Sequence, residues 1–210
     1  MGIRERKQRE KEQRRKEIMD AAKNVFSAKG FNRSTMEEIA AEAELSPGTL
    51  YLYFKNKEEL HTSLSIDILN HLTGEINKFV FKEDMNPKQK LAALRDAFIE
   101  VYDYDSRMLI SLFHLQSGET LRNLSGTVLA QLKKTSRDAL SAIKYIVQEG
   151  IDSGVFVKKH PVALADILWA TYSGVVLWVD SKRLLNNEKD FVKQTLRTAF
   201  EIIDKGLTIN

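Results

Sequence analysis

The sequence predicts an all-α protein: a three-helix amino-terminal unit followed by a larger helical body, about nine helices in total. Three observations carry this. Only three prolines and ten glycines interrupt 210 residues, too few to punctuate the short strands of a sandwich or barrel. Leu, Ala, Glu, Lys and Ile dominate, with apolar residues recurring at three- and four-residue spacing. The hydroxyl, proline and glycine residues that do occur stand where helices start and stop.

Composition bounds the function. With 43% apolar and 29% charged residues, the chain can bury a substantial core. No cysteine is present, which removes disulfides, thiolate metal sites and cysteine nucleophiles, and suits a reducing compartment. The amino terminus has no apolar run of the signal-peptide kind, and a cytoplasmic location is expected. The most apolar stretch, Val162 to Val179, is broken by Asp166, Thr171, Ser173 and Gly174, the pattern of a buried helix rather than a membrane span. Net charge is +3, too small to announce nucleic acid by itself. Its distribution is less even. Residues 4–17 carry eight basic side chains against four glutamates and no apolar one. They read equally as a solvated helical extension or as a phosphate-binding arm.

Ile18, Ala21, Ala22, Val25 and Phe26 mark one buried helix face, which Gly30 ends. A second, short helix starts at Ser34-Thr35, where either hydroxyl has a glutamate three places on to complete a capping box. It buries Met36, Ile39, Ala40 and Ala43. Ser46 then offers an N-cap, with Pro47 at the first helical position. Two short helices joined by about three residues have the spacing of a helix-turn-helix. In the second of them Leu50 and Phe54 can bury together, leaving Thr49, Tyr51, Leu52 and Tyr53 toward the rim or outside. Hydroxyls there suit phosphate oxygens, an apolar tip suits a thymine methyl, and Gly48 permits close backbone approach. Asn56, with Glu59 three residues on, restarts the chain as a helix, and Lys57 at its N-terminus suits a phosphate.

The run Ile18 to Leu60, above all Gly-Thr-Leu-Tyr-x-Tyr-Phe-x-x-Lys-x-x-Leu from Gly48, resembles the DNA-binding domain of the TetR/AcrR family of transcriptional regulators. The resemblance implies a helix-turn-helix over about Thr35 to Phe54, with Thr49, Tyr51, Tyr53 and Lys57 at positions that touch DNA; Thr35, Met36, Pro47 and Gly48 match as well. Glu44 stands where the family commonly has glycine. A left-handed backbone there would cost a non-glycine residue about 1 to 2 kcal/mol. Pro47 replaces a frequent lysine. The expected organisation is a basic arm over 1–15, the DNA-binding domain over 16–60 and an effector-binding and dimerisation domain over 61–210.

A long helix is expected from Leu60 to just before Met85-Asn86-Pro87. Others follow from Pro87 to Tyr102, Arg107 to Gln116, about Thr120 to Ser153, Pro161 to Asp180, and Glu188 to Lys205 with Gly206 as C-cap. The Pro161 helix is apolar on nearly all sides and needs cover beyond its own chain. The resemblance implies a four-helix dimer interface from the last two helices, for which Val176, Val179, Phe191, Leu196, Phe200 and Ile203 are candidates. Phe98, Tyr102, Leu109, Phe113, His114, Trp169 and Tyr172 lie on the helices that enclose the family's effector pocket. They suit a mostly hydrophobic effector, with His114 as a polar anchor, although aromatics at this spacing also simply fill cores.

Nothing suggests catalysis. The sequence has no HExxH, P-loop, GxGxxG or GxSxG motif, and His61 and His71 stand about 15 Å apart by helical rise, too far to share one metal. No cofactor or metal is expected. The reading is a homodimeric, ligand-responsive regulator, most often a repressor in the family it resembles, bound to a palindromic operator. Arg33, Thr49, Tyr51, Tyr53 and Lys57 would contact phosphates, and Pro47, Gly48, Leu52 and Tyr53 would approach base edges. Alternatives are a DNA-binding dimer without an effector and a small-molecule-binding scaffold without specific DNA binding.

Overall fold

The computed structural model describes residues 2–116, 121, 124–186 and 189–209. Among these are eight helices: α1 (Ile3–Lys29), α2 (Met36–Glu42), α3 (Pro47–Tyr51), α4 (Lys57–Asn77), α5 (Pro87–Gln116), α6 (Gly126–Asp152), α7 (Pro161–Asn186) and α8 (Val192–Leu207). The described residues form no strand, only one antiparallel bridge between Phe156 and Thr208. Two compact units result: Met1–Ile66 with Leu115–Gln131, and Asp67–His114 with Leu132–Asn210.

In the first unit, helix boundaries follow local chemistry. The basic segment is helical and continuous with the buried part of α1. At the other end, Gly30 takes φ 78° and donates its N–H to the Phe26 carbonyl. The capping box of α2 is Thr35 with Glu38, while Ser34 Oγ donates instead to the Gly30 carbonyl at 2.7 Å. Ser46 accepts from the Thr49 N–H at 3.2 Å and caps α3. Helix α3 stops at Tyr51, earlier than Phe54, and two turn bonds from the Tyr53 and Phe54 N–H groups to the Leu50 carbonyl carry the chain on. Glu44 sits at φ 54°, the left-handed conformation that glycine adopts without penalty.

Helix α4 is capped by Asn56, whose Oδ1 accepts the Glu59 N–H at 2.8 Å. It ends at Asn77, well short of Pro87, because residues 78–84 form turns that still bury Phe79 and Val80.

In the second unit, the break expected at residues 103–106 is a kink within α5. Asp105 leaves helical geometry (φ −159°, ψ 81°), and its Oδ1 accepts the Met108 N–H at 3.0 Å, capping the second half. The two expected helices are therefore the two halves of α5, meeting at Asp105. Helix α8 runs through Gly206 to Leu207, and Thr208, not Gly206, is its C-cap. The expected start of α6 near Thr120 lies outside the described residues. Lys90 is nearly fully buried, yet its ammonium meets both Glu149 carboxylate oxygens at 2.8 Å. A β-carbon on Gly150 would lie 2.0 Å from the Phe156 ring, so only glycine lets this buried phenylalanine close over α6.

Glu44→Gly is expected to raise the free energy of unfolding by about 1 kcal/mol by removing the left-handed penalty. Urea denaturation monitored by circular dichroism measures this; an unchanged or lower midpoint would contradict a strained turn.

Candidate nucleic-acid interface

The core beneath α3 is built first. Leu50 is fully buried and Phe54 nearly so. The Arg15 guanidinium lies 4.2 Å above the Phe54 ring and donates to Ser63 Oγ at 2.8 Å, and Ser63 in turn donates to the Glu59 carbonyl. With its inner side held this way, α3 turns the next residues outward. Leu52 is 81% exposed and Tyr51 47%. Pro47 and Gly48 are exposed, and Thr49 and Tyr53 half-buried. Large apolar groups this open on a short, firmly anchored helix form an exposed apolar patch with no cover from their own chain.

Other expected contacts fall differently. Arg33 is exposed, and its Nε donates to the Lys29 carbonyl at 3.0 Å. Thr35 is exposed but spends its hydroxyl as the α2 cap. Met36 is buried in the core, so its side chain supports the domain and does not face a ligand. Lys57 donates to the Phe31 and Ser34 carbonyls, both at 2.8 Å, with its ammonium 4.5 Å from the Phe31 ring. It fastens the loop between α1 and α2, with two of its three ammonium hydrogens committed there.

A feature the sequence reading missed lies on α1. Arg4, Lys7, Lys11 and Arg15 follow one another at three- and four-residue spacing, in line with the buried Ile18, Ala22 and Val25. That spacing puts them on one side of the helix, a side from which Glu5, Glu10 and Glu12 are absent. Arg14 pairs with Glu17 at 2.8 Å. The stripe thus leads into Arg15, whose guanidinium covers Phe54 at the end of the recognition segment.

Two buried polar groups brace this unit. Burial alone would raise the Glu59 carboxyl, but hydrogen bonds from Ser125 and Lys55 outweigh it and hold it below the ordinary range. His61 packs against Phe26 and Phe31, with ring centroids 5.5 and 4.6 Å away. Burial, and secondarily the Lys57 ammonium, push it down to about 4.

In the second unit the residues expected to meet an effector form a packed aromatic core. Phe98 stacks on Tyr172 at 4.0 Å, and the Tyr172 hydroxyl donates to the Phe98 carbonyl at 2.8 Å. Phe113 meets Trp169 and Tyr172 edge-on at 5.7 and 5.5 Å. Leu109 is buried among the core residues. Tyr102 donates to Asp190 at 2.7 Å, and its phenol is raised by burial and by that carboxylate. His114 is exposed, so it is no buried polar anchor.

Of the expected dimer residues, Val176, Val179, Leu196 and Phe200 are buried within the protomer. They hold α7 and α8 in the core of the second unit. Phe191 and Ile203 remain exposed or half-exposed, joined by Ile167, Trp178 and Ile202. The periodic pattern located both helices but could not separate inner from outer face on α7, which is apolar all round.

Fold and surface define a helix-turn-helix DNA-binding protein. Residues 18–64 match the family model described as bacterial regulatory proteins, tetR family. The chain is 27% identical over 195 residues to the fatty acid metabolism regulator protein of Bacillus subtilis, covering 91% of this chain and 94% of that one. Its fold is that of a TetR family transcriptional regulator, PfmR, from Thermus thermophilus (TM-score 0.72, 19% identity, 92% and 99% of the two chains covered). It is also that of FadR from Bacillus subtilis, solved with stearoyl-CoA (TM-score 0.69, 24% identity, 90% and 97% covered). The amino-terminal unit is a tetR-family DNA-binding domain, and the chain is a helix-turn-helix transcriptional regulator.

The buried histidine gives this domain an acid limit. Its folded value lies below the unfolded value of about 6.5, so the unfolded chain takes up the proton first. The stability that neutral His61 contributes is present above pH 6.5 and is lost as pH falls toward 4. Between pH 7 and 5 this amounts to about 2 kcal/mol. His61→Phe is expected to flatten that slope in urea titrations at the two pH values; an unchanged slope would contradict a neutral buried imidazole.

Proposed function

We propose that the protein is a homodimeric repressor that binds a palindromic operator through α3 and the basic stripe of α1, and leaves it when a long-chain acyl thioester or similar amphiphile binds the second unit. The observation that carries the DNA-binding part is the exposed Leu52 and Tyr51 on a helix whose inner side is pinned by Leu50 and Phe54. Leu52, Gly48 and Pro47 approach base edges, while Thr49, Tyr51, Tyr53 and Arg33 serve phosphates. Lys7 and Lys11 extend the phosphate contacts along α1.

One such helix makes few contacts, whereas two held about 34 to 36 Å apart read both halves of a palindrome. The exposed Ile167, Trp178, Phe191 and Ile202 on α7 and α8 are the apolar surface on which a second copy would close. The effector class rests on the relatives: one regulates fatty acid metabolism and a structural neighbour holds stearoyl-CoA. It suits the second unit's aromatic cluster of Phe98, Phe113, Trp169 and Tyr172, which would part to admit an acyl chain. Helix α4 contributes residues to both units and is the natural carrier of the response. A preference of about 10⁴-fold for the released state would switch occupancy nearly completely.

Fluorescence anisotropy with duplexes from the regulated promoter tests the reading. Leu52→Ala is expected to cost about 1 to 3 kcal/mol on the operator and little on random duplex. The double variant Lys7→Gln and Lys11→Gln is expected to weaken both DNAs and lower the salt slope by about 1.8 per protomer. Palmitoyl- or stearoyl-CoA is expected to release the operator at concentrations that leave random duplex unaffected. Equal affinity for operator and random duplex, or a salt-independent complex, would overturn the DNA reading; an operator complex indifferent to acyl-CoA would overturn only the effector.

A further inference from the structure

We propose that His71, Glu75 and Glu100 form a binding site for a divalent transition-metal ion of the zinc(II) class, clamping α4 to α5. His71 and Glu75 stand four residues apart on α4, one above the other on a single face, and Glu100 comes from α5. Each offers one ligand atom, and the three atoms lie within 4.8 Å of one another. His71 Nε2 is already 2.9 and 3.1 Å from the two Glu100 carboxylate oxygens. A tetrahedral site with bonds of about 2.0 Å separates its ligand atoms by roughly 3.3 Å. An ion can therefore replace the proton held between imidazole and carboxylate with only a small shift of either.

The surroundings suit an ion as well. The imidazole stacks on Tyr104, with centroids 4.0 Å apart and planes at 21°, which fixes the direction of Nε2. His71 is 26% exposed and Glu100 45%, leaving a side open for water ligands. Glu75 is ion-paired with Lys78, which is itself 67% exposed, so an arriving cation releases that lysine to solvent at little cost. One nitrogen and two oxygen donors favour zinc and its first-row neighbours over magnesium, which prefers octahedral oxygen and keeps its waters. The site lies wholly in the second unit and owes nothing to the DNA-binding reading.

The test uses the full-length protein stripped of metal by chelation and dialysis. Isothermal titration is expected to give one zinc per protomer, and cobalt(II) is expected to develop visible absorption bands on binding. His71→Ala and Glu100→Gln are each expected to weaken zinc about tenfold or more and to abolish the cobalt bands, while His160→Ala, outside the cluster, leaves both unchanged. Glu100→Gln alters an open carboxylate, so it carries the test if His71→Ala folds poorly. No zinc uptake by the wild-type chain, zinc affinity left unchanged by Glu100→Gln, or magnesium binding as tight as zinc would each overturn the site.

Discussion

The burial of Leu50 and Phe54 is the constraint on which the DNA-binding face depends. Five residues cannot hold a helix in water, because nucleation consumes the gain from the few bonds that follow. The conformation of α3 is therefore borrowed from what lies under it: Phe54 beneath the Arg15 guanidinium, Arg15 held by Ser63, and Ser63 by the Glu59 carbonyl. With every inward group committed, Tyr51 and Leu52 have no place inside. Their exposure follows from the packing of their neighbours.

Polar groups brace this arrangement from two more directions. Lys57 ties the α1–α2 loop through two carbonyls, and Glu59 accepts the Ser125 N–H from a segment 66 residues away. Hydrogen bonds of a charged group to neutral main-chain partners are among the stronger ones and costly to break. They favour one arrangement of the domain over nearby alternatives, which matters for a surface that must match a groove.

Much of the first unit was legible because its signals are local. Thr35 with Glu38, Ser46 with Pro47, Asn56 with Glu59, and Gly30 each declare a helix end within four residues, and the left-handed Glu44 stands in the turn where glycine was the expected residue. What stayed hidden depends on distance along the chain or on direction across a helix. Nothing near Lys57 announces that its ammonium turns inward, since both acceptors lie more than 20 residues earlier. The break at Asp105 was legible, but not the cap that its carboxylate supplies to the Met108 N–H. Val176 and Trp178 are equally apolar in a helix without a polar face, and only tertiary packing sends one inside and leaves the other out. The pairing of His71 with Glu100 spans 29 residues, beyond any motif spacing.

The bond from the Tyr172 hydroxyl to the Phe98 carbonyl sets an admission rule for the second unit. A guest that pries these rings apart strands the Tyr172 hydroxyl, a donor, in a dry interior, a loss of about 1 to 3 kcal/mol, whereas the Phe98 carbonyl keeps its place in the α5 ladder. A pure hydrocarbon cannot repair that loss, whereas a molecule carrying its own carbonyl, carboxylate or hydroxyl oxygen as an acceptor can. Selectivity among lipid-like visitors would then be graded by the polar end they bring, with tail length a secondary discriminator.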